Sequence, residues 1–377
     1  MQTKRFGLCA ALSAAALLLL AGCAGSGSTA APTLTVESGY PLQYAKQFTV
    51  DECTGGYELI TIADSQYLVV PQGAAVPEDL PQGTTVLQQP IENVYLVSTS
   101  AMDPIISLGA LDSIALSGTK ADGWYLPEAK AAMQAGQIAY AGKYSAPDYE
   151  TILASGCGLA IENTMIYHTP EVKEQLEKFG IPVLVERSSY ETDPLARMEW
   201  VKLYGILLGK KQEAEQLFDT QVQRVAPLEN QQPTGKSVAF FSITSNNLVT
   251  VRKGSDYVAR MIEMAGGSYV FDDLTDSGNN LATINLSLED FYAGAKDADV
   301  LLYNSTIEGS IASTEQLVEK CPLLAQFKAV QNGNVWCTAQ SLFQQSMELP
   351  DLILDMNRVF TEGTPADSEL TFLTHVE

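Results

Sequence analysis

The chain has 377 residues, 46% hydrophobic and 8% aromatic, which is long and apolar enough for two cores and excludes an intrinsically disordered protein. Its 45 acidic residues outweigh 22 basic ones, for a formal charge of −23, so nucleic acid is excluded as a partner for want of a basic footprint. The two histidines, His168 and His375, are too few for a multi-histidine metal site.

In chain order, residues 1–22 come first. Lys4 and Arg5 precede an apolar run over residues 8–20, about 13 residues and too short to span a bilayer, which is the pattern of a signal peptide. The run ends in Leu20-Ala21-Gly22-Cys23, which resembles the lipobox of bacterial lipoproteins. That resemblance implies cleavage before Cys23, acylation of its sulfur and extracytoplasmic anchoring in the bilayer of a bacterial cell membrane. An ordinary secretory peptide with an incidental cysteine is the alternative. Cleavage removes Lys4 and Arg5 and no acid, so the charge becomes 20 − 45 = −25. Residues 23–35 then read as the lipidated cysteine and a small, polar tether. Beyond Cys9 and Cys23, the cysteines Cys53, Cys157, Cys321 and Cys337 fit no zinc spacing. Export permits a disulfide, with Cys321 and Cys337 as the leading pair, and four buried thiols are the alternative.

Residues 48–50, 57–62 and 67–70 carry a β pattern separated by Thr54-Gly55-Gly56 and Asp64-Ser65, which reads as a β-meander. From Val94 onward short apolar strands (94–97, 113–116, 137–140, 159–161, 182–185) alternate with helical segments (102–108, 127–134, 148–153, 170–179), the signature of α/β layers. Asp193 as N-cap and Pro194 at the first turn open a helix to about residue 208, with Leu195, Met198, Val201 and Tyr204 at helical spacing. Gly209 interrupts it. A second helix over 210–226 places Ala214, Leu217, Phe218, Val222 and Val225 on one side and stops at Pro227. At 1.5 Å per residue it is a rod of roughly 25 Å, a spine between two compact units. Beyond it come strands 237–243 and 249–252, a helix over 255–265 and a capped start at Ser287 with Asp290. Strands 299–303 and 334–337 and a final helix over 346–360 complete the chain. The expected division is an N-terminal α/β lobe with the meander (36–208), a linking helix (209–228) and a C-terminal α/β lobe (229–377).

No nucleophile elbow, zinc-protease motif, P-loop or dinucleotide fingerprint is present, so no catalytic or metal-binding set is assigned. In α/β sheets ligands collect outside the carboxyl ends of strands. The residues there are Ser98, Thr99, Ser100, Trp124, Tyr125, Lys143, Tyr144, Asn163, Met165, Tyr167, Arg187 and Tyr190 in the first half. In the second they are Ser245, Asn246, Arg252, Tyr303, Asn304 and Gln344, with Lys253, Asn279 and Asn280 nearby. Aromatic faces with amides and a few cations suit a sizeable, partly apolar ligand carrying oxygens. Arg187 follows a strand directly and suits a bidentate contact to a carboxylate or hydroxamate; a salt bridge to Glu186 or Glu191 is its alternative. His168 falls at a strand end too. Trp124 and Trp336 are expected to flank the cleft.

Four segments carry a family resemblance over roughly residues 45–360: 97–112 (VSTSAMDPIISLGALD), 175–183 (QLEKFGIPV), 200–214, and Met264-Ala265-Gly266-Gly267. Together they resemble the lipoprotein substrate-binding components of ABC importers for iron-siderophores, haem and cobalamin. The resemblance implies a class III periplasmic-binding-protein fold: two Rossmann-like α/β lobes joined by one long α-helix, a ligand cleft between them and limited hinge motion. It implies capture of an iron(III)-siderophore-type chelate, with cobalamin or haem as alternatives, and delivery to ABC permease and ATPase subunits. No resident cofactor is implied, since the ligand carries its own iron, haem or cobalt; nor is any chemical step, and the chain would be a monomer. Glu171 and Glu263 match the family's permease-docking glutamates. Two readings from other classes are an extracellular enzyme using His168 with Glu162 and a surface receptor without a transport partner.

Overall fold

The computed structural model describes residues 33–275 and 282–377, so the signal peptide, Cys23, Asn279 and Asn280 lie outside the described residues. Among the described residues no helix is long and apolar enough to cross a membrane.

The N-terminal sheet contains β1 (Val36–Gly39), β2 (Phe48–Cys53), β3 (Tyr57–Ile62), β4 (Ser65–Val70) and β5 (Thr85–Gln88), ordered as numbered. Alternation sends Phe48, Val50, Ile60, Ile62, Tyr67 and Val69 into the main core and Cys53, Tyr57, Leu59, Leu68 and Val70 into a smaller cluster on the other face. The expected meander is therefore the middle of a five-stranded sheet. All four residues of β1 are exposed, so no apolar alternation marks it, and β5 joins β4 in parallel.

The first lobe follows with β6 (Val94–Leu96), α1 (Met102–Ser107), β7 (Ile114–Ser117), α2 (Pro127–Gln134) and β8 (Ala139–Tyr140). A short ribbon of β9 (Gly142–Lys143) and β10 (Ala146–Pro147) leads into α3 (Tyr149–Ala154), β11 (Ala160–Glu162), α4 (Pro170–Lys178) and β12 (Val183–Val185). The parallel sheet is ordered β12-β11-β6-β7-β8, the doubly wound arrangement that the alternating pattern implies. The second lobe contains β13 (Ser237–Ile243), β14 (Val249–Arg252), α7 (Tyr257–Met264), β15 (Ser268–Tyr269), β16 (Thr283–Leu286), β17 (Val300–Tyr303), β18 (Val335–Thr338) and β19 (Leu373–His375). Its sheet runs β16-β14-β13-β17-β18-β19, with β15 also on β13 and the closing helix Leu349–Glu362 packed nearby.

Between the lobes lie α5 (Pro194–Leu207) and α6 (Lys211–Val225). The spacing on α5 suggests one apolar face, but all 14 of its residues are buried, Arg197, Glu199 and Lys202 among them. The reason is position: α5 packs on α1, α6 and α7 and joins both lobes into one continuous apolar core instead of two. Its buried charges have partners. The Glu199 carboxylate accepts the backbone N–H groups of Gln43 (2.8 Å), Tyr44 (2.7 Å) and Ala45 (2.8 Å) and the Lys202 ammonium (2.8 Å). Gly205 is required where α5 meets α6, because a Cβ there would sit 2.4 Å from the Ala214 Cβ. At one end of α6 Lys211 bonds Glu52 and Glu58 of the N-terminal sheet, each at 2.6 Å. At the other Arg224 pairs with Asp351 of the closing helix.

One short segment of the second lobe grips the first. Gln344 accepts the Tyr125 N–H and donates to the Gly123 carbonyl, both at 2.8 Å, and Ser346 donates to the Ser100 carbonyl at 3.0 Å. The Met347 N–H reaches the Asp103 carboxylate at 2.7 Å. Burial, and then the Glu348 charge, holds the Asp103 carboxyl well above the usual carboxylate range, against the pull of that N–H. Burial raises Glu348 too, with Asp351 adding to the shift and Arg224 opposing it; Glu128 acts on Asp103 in the same sense as Glu348. Burial thus favours the protonated form of both carboxyls at the lobe interface.

Replacing Glu199 by alanine leaves Lys202 buried without its carboxylate and strands the N–H groups of residues 43–45. The expected loss is about 3–5 kcal/mol by urea unfolding, and a loss under about 1 kcal/mol would contradict the anchoring role. For the Asp103–Glu348 pair the folded-state value lies above the unfolded one, so its stability is complete below the unfolded value and is lost as pH rises through the folded one. Asp103→Asn removes this titrating carboxyl and keeps an oxygen for the Met347 N–H. The melting temperature of the wild type should fall more steeply than that of the variant from about pH 4 to about pH 8, and parallel curves would rule out a protonated Asp103 in the folded protein.

Candidate functional site

A cleft of about 390 Å³ opens between the loop after β12 and the loop after β14. Its walls include Gln47, Arg187, Ser189, Tyr190, Glu191 and Thr192 on one side and Lys253, Ser255, Asp256 and Ala282 on the other. The β12 loop is built from behind. Glu186 is buried and accepts the hydroxyls of Ser98 (2.9 Å) and Ser100 (3.0 Å) and the Ser188 N–H (2.7 Å). Ser98 and Ser100, expected to face a ligand, thus fix the turn that carries Arg187.

The Arg187 guanidinium donates to the Gln47 side-chain oxygen through Nε and Nη2, both at 3.3 Å, and to the Tyr167 hydroxyl through Nη1 at 3.2 Å. It also lies over the Tyr190 ring, 4.6 Å from the centroid. Among the described residues no carboxylate pairs with it. Glu191 is engaged elsewhere, accepting the N–H groups of Lys46 (3.0 Å) and Gln47 (2.9 Å) and the Trp200 indole N–H (3.1 Å). Across the cleft Arg252 lies over the Phe343 ring at 4.7 Å and approaches Asp256 at 3.6 Å, while Asp256 caps α7 through the Val258 N–H. The side chains thus bring two cations, Arg187 and Lys253, onto facing walls, with amide, hydroxyl and aromatic groups and the engaged carboxylates of Glu191 and Asp256 around them.

The other expected residues separate into three groups. Tyr125, Met165 and Tyr167 are exposed, the last two on a turn capped by the Asn163 side chain through the Met165 N–H (2.9 Å). Lys143, Ser245 and Asn246 are exposed on the β9 ribbon and the β13–β14 turn, Thr99 is half-buried, and Tyr144 packs on the small first-lobe cluster. Gln344 serves the lobe interface. The remaining expectations are corrected by burial. Trp124 is 1% exposed and donates to Ser117; Trp336 is 0% exposed and donates to Asn334. Tyr303 lies against Phe241 in the core, where burial pushes its hydroxyl up to about 12. Asn304 spends its side-chain oxygen on Thr306. A strand end marks where a residue lies along the sheet, not whether its side chain points outward or into the layers.

Glu171 is exposed in the first turn of α4; Glu263 is exposed on α7 and paired with Arg260 at 2.6 Å. Glu162 and His168 form no hydrogen-bonded pair among the described residues. Glu162 is buried with neither carboxylate oxygen bonded, and burial alone pushes it up to about 8, while His168 is exposed. Among the described residues no cluster of His, Cys, Asp and Glu could hold a metal ion. Cys321 and Cys337 are buried free thiols, as is Cys53, and Cys157 is a partly buried one, which favours the reading as thiols over the Cys321–Cys337 disulfide. The residues not anticipated are Gln47, Ser189, Thr192, Ser255 and Asp256. Ser189 and Thr192 flank anticipated positions, but Gln47 precedes β2, far in sequence from any parallel strand end.

The model of the periplasmic binding protein family matches residues 96–341. Among curated proteins the chain is 27% identical over 241 residues to an uncharacterized lipoprotein of Methanocaldococcus jannaschii, covering 62% of this chain and 55% of that one. A second, uncharacterized protein of that organism is 26% identical over 170 residues, 44% of this chain and 49% of its own. The chain thus spans about half the length of the curated relatives it matches. Among solved structures, a periplasmic binding protein from Veillonella parvula superposes with a TM-score of 0.60 at 16% identity, over 84% of this chain and 98% of that one. A periplasmic heme binding protein of Vibrio cholerae gives 0.58 at 17% identity, over 73% and 99%. A protein of an ABC-type Fe3+-hydroxamate transport system from Saccharomonospora viridis gives 0.55 at 21% identity, over 72% and 94%. With the matched region spanning both lobes and the cleft between them, the chain belongs to the periplasmic binding protein family.

Proposed function

We propose that this chain is the substrate-binding component of an ABC importer, that it is anchored outside the cytoplasmic membrane through acylated Cys23, and that it captures an anionic iron(III)-siderophore-type chelate between its lobes. The observation that carries the reading is Arg187, a cation held in the cleft wall by uncharged partners alone among the described residues, so its charge is available to a ligand. Lys253 lies on the facing wall. Solved structures described as a periplasmic heme binding protein and as part of an ABC-type Fe3+-hydroxamate transport system support a metal chelate as cargo. Haem is the second reading, favoured by the exposed Met165 and Tyr167 on the turn whose Tyr167 hydroxyl meets Arg187. The role is binding and delivery, with no reaction on the ligand. Glu171 and Glu263, one exposed acid on each lobe, are proposed to meet basic residues of the permease.

Arg187→Ala should weaken binding of an anionic probe such as ferric citrate or haemin by roughly ten- to a hundredfold, and unchanged affinity would sink the reading. Tryptophan fluorescence suits the titration because the Trp200 indole is bonded to Glu191 on the cleft wall. Reversing both docking charges, Glu171→Lys with Glu263→Lys, should abolish uptake by cells while leaving the affinity of the purified protein within about twofold of wild type. Uptake that survives the double reversal would exclude these acids as the docking points.

A further inference from the structure

The segment before β2 lies outside the region matched by the family model, yet it supplies a wall of the cleft. Its path is set by two buried carboxylates: Glu199 takes the N–H groups of residues 43–45 and Glu191 those of Lys46 and Gln47. With its backbone held, the half-buried Gln47 directs its side-chain oxygen to the Nε–Nη2 edge of Arg187, at 3.3 Å from each nitrogen. Tyr167 occupies Nη1, and the Tyr190 ring lies against the guanidinium. A guanidinium has five N–H donors. Three hydrogen bonds are made to described residues, which leaves two donors for a ligand.

The choice of a neutral amide is what matters. A glutamate at position 47 would orient the same edge and cancel the charge; an aliphatic residue would keep the charge and release the fork. We infer that Gln47 is a positioning residue acting through Arg187, and that through it the N-terminal sheet module sets the preference of the cleft for anionic over uncharged chelates. This rests on Arg187 being the anion receptor. Substitution at position 47 leaves the anchoring N–H in place, so the carboxylate that holds the segment keeps its donor.

The test uses the full chain with ferric citrate and haemin as anionic probes and ferrichrome as an uncharged one. Gln47→Glu should lower affinity for the anionic probes by at least about tenfold, with ferrichrome within about twofold of wild type, and should flatten the salt dependence of anionic binding. Gln47→Met should lower anionic affinity by about tenfold while keeping the wild-type salt dependence, because the charge remains. The proposal is overturned if both variants bind every probe like wild type, or if they lose all probes equally with no change in salt dependence. The underlying reading fails separately, if Arg187→Ala keeps anionic affinity or if neither anionic probe binds the wild type.

Discussion

An ionised carboxylate taken out of water costs several kcal/mol unless donors fill its oxygens. In this protein three such groups, Glu186, Glu191 and Glu199, are filled by backbone N–H groups, hydroxyls, an indole and a lysine. Each joins pieces of chain distant in sequence: Glu199 and Glu191 fasten residues 43–47 to α5 and the loop before it, and Glu186 fastens the turn after β12 to the turn after β6. The cleft stands on these joints. Arg187 follows Glu186 directly, and Gln47 is the last residue held by Glu191.

The lobes are coupled by more than a covalent helix. A single apolar core passes through α5 from the first sheet to the second, α6 is tied at both ends by ion pairs, and residues 344–347 bond the second lobe to the first. Wide opening would expose that core to water at roughly 25 cal/mol per Å² of apolar surface. These couplings favour small adjustments of the loops around the cleft over a large hinge.

Much of the architecture was legible because it depends on local periodicity and end signals. The capping of α5 by Asp193, the break at Gly209 and the strands over residues 237–243 and 249–252 all agree with the reading of the chain alone. Arg187 and Tyr190 were legible for the same reason, as side chains just beyond a short apolar strand. Trp124, Trp336 and Tyr303 were misplaced, since an aromatic residue at a strand end turns inward or outward according to the layer above it. The cysteines follow the same logic: Cys321 and Cys337 lie close in sequence, but tertiary packing gives each its own buried environment.

Composition and pattern alone determined an acidic α/β protein of two halves with a helical connection and an N-terminal β segment. Such properties are sums over many residues and tolerate local error. Only the tertiary structure decided that the halves share one core, that Arg197, Glu199 and Lys202 of α5 are buried with partners, and that Gln47 stands beside Arg187. Those facts depend on contacts between residues far apart in the chain, 156 positions in the case of Gln43 and Glu199, and no periodicity within a segment encodes which distant backbone a buried carboxylate will hold.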